Sequence, residues 1–166
     1  MDPVKLLVLG DTHFARRNQE LGEEITKIFD EVDYIVHAGD FTHKSLVDFL
    51  ESTGKFVGVA GNMDPMTIKK HLPEVNEIDL GEIKIGIIHG WGAPHDIVER
   101  IHPISKKHGF DIVIFGHTHN HLEMEFEGIK YYNSGSPVDK MFAKENTFLI
   151  LTIHSRERVE AKFIKV

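Results

Sequence analysis

Cysteine is absent from this 166-residue chain, which removes thiolate metal sites, cysteine nucleophiles and disulfide chemistry. Any metal must be held by oxygen and imidazole. The same absence fits a reducing compartment, and the cytoplasm is the expected location. Long hydrophobic runs are missing too: the first apolar stretch, residues 4–9, is too short to span a bilayer and leads through Gly10 into Asp11. Neither signal peptide nor membrane anchor is expected. Basic residues are outnumbered, 19 Lys and Arg against 26 Asp and Glu, for a formal charge of −7. Bulk attraction to nucleic acid or to an anionic membrane is therefore not expected, and an acidic substrate has to be drawn by a local site. A metal pair would reverse the field there. Repeats, linkers and low-complexity segments are lacking, and the length suits one domain, residues 1–166, with a core that needs no staples.

What the chain does have is a recurring device in which a short apolar run ends in glycine beside an oxygen or nitrogen donor. Residues 112–115, three of them β-branched, are too few for a helix and read as a strand buried on both faces. Gly116 follows, then His117, His119 and His121 at alternate positions. In extended chain, residues two apart project to one side, so His117 and His119 are set together. A histidine-rich surface loop is the other reading of this stretch alone. The device recurs, however. Residues 4–9 lead to Gly10, Asp11 and His13; 34–38 to Gly39-Asp40; 55–60 to Gly61-Asn62; and 84–88 to His89-Gly90. Singly, Asp11 reads as a helix cap and Asn62 as a turn residue. Repeated at strand ends, they read as ligand-binding groups where open α/β sheets place them.

Helical spacing of Leu21, Ile25, Ile28, Phe29 and Val32 predicts a helix from about residue 19 to 32, and similar patterns predict helices over 45–53 and 96–107. Pro65 starts a shorter helical turn. Arg16, Arg17 and Asn18 read as solvated loop residues, with phosphate contact as the alternative. His37 reads as a packed core histidine, and His102 and His108 as surface or edge residues. Hairpins are predicted for 75–80 with 84–88, 122–126 with 129–132 and 148–153 with 159–166. Helices thus crowd the first half and antiparallel strands the end. Two mixed sheets packed face to face and flanked by helices, a four-layer α-β-β-α sandwich, fit that order.

Taken in order, Asp11-x-His13, Gly39-Asp40, Gly61-Asn62, His89 and Gly116-His117-Thr118-His119 resemble the motif set of the calcineurin-like metallophosphoesterase superfamily. Within it the chain most resembles the small one-domain phosphodiesterases of archaea and bacteria, which are also similar to the retromer subunit of eukaryotes. The resemblance runs from the first strand to the turn Asn133-Ser134-Gly135-Ser136. It implies two divalent ions, one held by Asp11, His13, Asp40 and His119, the other by Asp40, Asn62, His89 and His117, with Asp40 bridging. A donor set without sulfur suits Mn²⁺ or Ni²⁺ first, with Fe, Co²⁺ or Zn²⁺ as further candidates. Such ions, about 3.5–4 Å apart, share a hydroxide and clamp a phosphate. The activity implied is hydrolysis of a small-molecule phosphate diester, with no protein nucleophile required.

One departure stands out. Many superfamily members carry a histidine directly after the Gly-Asn pair, and here Met63 occupies that place and has no proton to give. Asp64, His43, His95 and His121 are the candidate replacements. Specificity is expected from loops 14–18 and 91–96, and the oligomeric state stays open, a homo-oligomer included. The alternative function is a weakly active or inactive interaction scaffold of the same fold.

Overall fold

The computed structural model describes residues 1–14 and 19–166; Arg16, Arg17 and Asn18 lie outside the described residues. Ten strands form two five-stranded sheets. The first has the order β10-β9-β1-β2-β3, from strands β1 (Val4–Leu9), β2 (Tyr34–His37), β3 (Phe56–Gly58), β9 (Thr147–Ile153) and β10 (Val159–Lys165). The second has the order β4-β5-β6-β8-β7, from β4 (Val75–Asp79), β5 (Lys84–Ile88), β6 (Ile112–Phe115), β7 (His121–Phe126) and β8 (Ile129–Ser134). Both sheets are mixed. Strands β1, β2 and β3 are parallel, as are β5, β6 and β8, while the remaining neighbours pair antiparallel.

Strand periodicity builds the layers. Along β1, Leu6 and Val8 enter the cluster that both sheets share, together with Ile85, Ile87, Ile112 and Ile114. Leu7 and Leu9 point the other way, into a cluster with Leu46, Val47 and Leu50 of α2 (Lys44–Glu51), Ile25 of α1 (Glu23–Thr26) and Ile68 of α3 (Met66–Lys69). On the opposite face Val113 and Phe115 pack against Ile97, Val98 and Ile101 of α4 (Ile97–His108). The order of layers is therefore helix, sheet, sheet, helix, as expected. Because the side-chain period is two, strands buried on both faces must be apolar throughout, which is why their runs were conspicuous. Among the described residues no helix is long and apolar enough to cross a membrane.

Three expectations need correction. The helix over 19–32 is two separate single turns, α1 and a 3-10 turn at Phe29–Glu31. Leu21, Ile25 and Val32 are all buried, so the spacing reported burial while the backbone between them bends. Phe14, placed in a specificity loop, is a core residue. His102 is buried rather than peripheral, because the turn between β7 and β8 closes over it: Nε2 meets Glu127 Oε2 at 2.9 Å and Nδ1 meets the Tyr131 hydroxyl at 2.6 Å.

Candidate metal centre

The parallel strands of both sheets end at one edge, and the loops leaving them carry the donors. Asp11 and His13 follow β1, Asp40 follows β2, Asn62 lies beyond β3, His89 directly follows β5, and His117 and His119 follow β6. All seven side chains that the resemblance singled out meet there. The loops interlock through their backbones: Asp11 N–H donates to the Gly39 carbonyl at 3.0 Å and His13 N–H to the Asp40 carbonyl at 2.9 Å. His117 N–H donates to Asp11 Oδ1 at 3.2 Å. Turning this tightly puts Asp11, His13, Asp40, His117 and His119 at positive φ, five of the eight such non-glycine residues described. Left-handed backbone costs an L-residue roughly 1 kcal/mol or more, and such strain concentrates at functional sites. Gly61 is fixed by space instead: a Cβ there would stand 2.1 Å from Asp40 Oδ1.

Three of the four imidazoles are oriented by their outer nitrogens. Nδ1–H of His89 donates to the Ala38 carbonyl at 2.7 Å, which leaves Nε2 facing Asn62 Oδ1 at 2.9 Å and Asp40 Oδ2 at 3.2 Å. Nε2–H of His117 donates to the Gly92 carbonyl at 2.8 Å, leaving Nδ1 3.3 Å from Asn62 Oδ1. Nδ1–H of His119 donates to Asp139 Oδ2, leaving Nε2 3.8 Å from Asp11 Oδ1. Nε2 of His13 is 3.3 Å from Asp40 Oδ2 yet makes no hydrogen bond, and buried Asp11 Oδ2 also lacks a partner among the described residues. Lone pairs converging on lone pairs repel unless something positive lies between them. A divalent cation fits this donor set, and histidine held by a carbonyl or carboxylate through its other nitrogen is the usual support for such a ligand.

Charge tells the same story. Although burial opposes its ionisation, the imidazoles of His13 and His89 hold the Asp40 carboxyl well below the ordinary range. The adjacent Asp40 in turn raises the pKa of His13. Burial works against the charged form of His89, but Asp40 and Asp11 outweigh it and raise its pKa. Burial raises that of Asp11. The cluster as a whole thus favours added positive charge. Its donor atoms form two compact groups, Asp11 with His13 and His119, and Asp11 with Asp40 and His89, each within 4.8 Å.

The candidate replacements for a proton donor fare differently. Asp64 is buried with both oxygens committed to backbone, Oδ2 accepting from Asp40 N–H at 2.9 Å and Gly61 N–H at 2.7 Å, and Oδ1 from Thr42 N–H at 2.7 Å. It shapes the loops and has no free face. His95 is exposed and paired with neighbouring Asp96, and the His121 ring packs on Phe163. None of these, nor His43, lines the open pocket of about 640 Å³ beside the cluster, whereas Met63 does. Asp139 is the residue that sequence reasoning missed. It follows β8, whose parallel pairing with β6 brings this loop to the same edge, and Ser136 from the same loop donates to the Asp11 carbonyl at 2.7 Å. The signal was there, a carboxylate just past another strand, but β8 had been read only as one arm of a hairpin.

Two packed mixed sheets with histidine, aspartate and asparagine gathered at one edge define a metallophosphoesterase-type fold, and the model of the calcineurin-like phosphoesterase superfamily domain matches residues 4–156. The chain belongs to that family. It is similar to a probable metallophosphoesterase of Methanocaldococcus jannaschii, 33% identical over 160 residues that cover 96% of this chain and 80% of the relative. Among solved structures it is similar to a Thermotoga maritima protein, with a TM-score of 0.73 and 29% identity over 98% of this chain and 99% of that one. Vacuolar Protein Sorting 29 of Cryptosporidium parvum shares the fold, with a TM-score of 0.75 at 18% identity over 99% and 98% of the two chains.

Proposed function

We propose that this metallophosphoesterase is a phosphodiesterase with two divalent ions at the shared strand edge. Asp11, His13, Asp40 and His119 hold one ion, and Asp40, Asn62, His89 and His117 the other. Carrying most weight is the position of Asp40 Oδ2, 3.3 Å from His13 Nε2 and 3.2 Å from His89 Nε2, between the two sets of donors. When bound, the ions lower the pKa of water toward neutrality and offset charge on the phosphoryl oxygens. Mn²⁺ or Ni²⁺ are our first choices, and we place the activity in the cytoplasm.

The chain's own residues supply orientation. Ala38, Gly92 and Asp139 fix which nitrogen of His89, His117 and His119 faces inward, so those donors need little reorganisation on loading. Asp64 and Gly61 hold the Asp40 loop against the Asn62 loop. Met63, exposed at the pocket wall, leaves the departing oxygen without a proton from that position. The reading therefore favours esters with good leaving groups.

The test is hydrolysis of bis-p-nitrophenyl phosphate with added Mn²⁺ or Ni²⁺, expected in the native chain and lost in Asp40→Ala and His117→Ala. A metal-loaded protein that turns over no phosphate ester overturns the assignment. The lost proton donor at Met63 favours a second reading, an interaction scaffold with a vestigial pocket. A stable partner whose binding survives both substitutions, without turnover, would establish it.

A further inference from the structure

The pocket beside the metal centre has two unlike walls. One is the histidine and carboxylate cluster. The other is apolar, built from Met63, Pro94, Val138 and Phe142. Phe142 and Met63 are 69% and 60% exposed. Large apolar side chains displayed inside a concave site adjoining reactive groups mark ligand contact more often than accident.

Phe142 is held in place from below. The carboxylate of Asp139 accepts the backbone N–H groups of Met141, Phe142 and Ala143, at 2.8, 3.2 and 3.0 Å, while also binding His119. Asn146 Nδ2 donates to the Asp139 carbonyl, and Lys144 N–H to Asn120 Oδ1 at 2.9 Å. One carboxylate thus ties a histidine of the metal centre to the loop that presents the ring. The Phe142 ring stands edge-on to His119 with centroids 6.1 Å apart. Lys140, on the same loop, is the only Lys or Arg among the described residues lining the pocket.

We propose that the substrate's phosphate carries a planar aromatic substituent packed against Phe142 and Met63, with Lys140 contacting the phosphoryl oxygens. This rests on the phosphoryl-binding reading above. A ring and a thioether favour a flat π-system over an alkyl chain of equal area, because edge-to-face, stacked and sulfur contacts add to burial. Lysine suits the phosphate as a mobile point charge.

Phenylphosphonate and methylphosphonate separate the aromatic contact from the chemistry, since neither carries an ester bond to hydrolyse. Calorimetric titration of the Mn²⁺-supplied protein should find the phenyl compound bound about tenfold more tightly, in the range of one aromatic stack. Phe142→Ala should bring the two affinities together, and Phe142→Leu, which keeps apolar surface but loses the ring, should retain less than about a third of the preference. Lys140→Ala should weaken both compounds by a similar factor and leave their ratio intact. Equal affinities in the native protein, or a ratio that survives Phe142→Ala with the fold intact by circular dichroism, overturn the proposal. If neither compound binds, the phosphoryl site itself is wrong and the inference falls with it. If the preference holds but no ester is hydrolysed, the enzyme reading alone fails.

Discussion

Buried histidines occur in two kinds of surroundings in this molecule, and the contrast separates architecture from chemistry. His37, in β2, accepts Gly39 N–H at Nδ1 (3.1 Å) and reaches Thr12 Oγ1 from Nε2 (3.1 Å). His102, under the β7–β8 turn, donates from Nε2 to Glu127 and accepts the Tyr131 hydroxyl at Nδ1. In both, each ring nitrogen has its own hydrogen-bond partner, so nothing is owed. At the strand edge the arithmetic differs. His89 donates its Nδ1–H to a carbonyl, and its other nitrogen meets only oxygens of Asn62 and Asp40. A histidine answered on both sides stabilises the fold; one answered on the outer side alone is prepared for a cation.

The contrast breaks most sharply at Asp40. Replacing it with alanine removes an oxygen 3.3 Å from His13 Nε2 and 3.2 Å from His89 Nε2, and should abolish tight binding of at least one ion per chain along with activity, a loss of about 10³ or more. Metal content after dialysis, measured beside turnover of an activated diester, checks this. Removing a carboxylate without change in metal stoichiometry would mean that the converging lone pairs are satisfied some other way. Met63→His is the opposite intervention, adding a proton donor where none exists. It should raise turnover of diesters with poor leaving groups by about 10², with far less effect on p-nitrophenyl esters. A uniform change across leaving groups would instead mark Met63 as a packing residue.

Asp139 offers a gentler break. Asp139→Asn keeps a hydrogen-bonding side chain of the same shape but loses the charge behind His119. Against the opposing effect of burial, His119 and the Met141 and Phe142 N–H groups hold this carboxyl down at about 2, so it is ionised near neutral pH. The substitution should weaken metal affinity about 10- to 100-fold, read by competition with a chelator. Unchanged affinity would reduce Asp139 to a loop staple.

Much of this was legible in the residues, and the reasons are physical. Residues 4–9 and 112–115 announced their strands because a doubly buried strand has no polar face, and glycine marked where each turned out of its sheet. The donors announced themselves by following those glycines. The break between α1 and the 3-10 turn was hidden, because Leu21, Ile25, Ile28, Phe29 and Val32 keep helical spacing on either side of it. His102 was misread since its cover arrives from a turn 25 residues further on. Lys140 and Phe142 carry no motif and Asp139 only the weak one of a carboxylate past a strand; what gathers them is that β8 runs parallel to β6, where the hairpin reading looks only to β7.

His37 supplies the smallest and cleanest test, because it belongs to the architectural class. Burial pushes its pKa down from 6.5 to about 3, against the attraction of Asp40. With the folded value below the unfolded one, the unfolded chain takes up the extra proton between those two values, and stability falls as pH drops through that window. Above pH 6.5 the contribution is constant. At about pH 5 the penalty from this one ring is about 2 kcal/mol, since each pKa unit is worth roughly 1.4 kcal/mol. His37→Gln should lower stability at every pH, yet shrink the difference between about pH 7.5 and pH 5 by that amount in denaturant melts with chelator present. Chelation matters, because metal release in acid would otherwise add a slope of its own. An unaltered slope would mean that the buried ring takes up its proton without unfolding, and that having both nitrogens answered is no guarantee of neutrality.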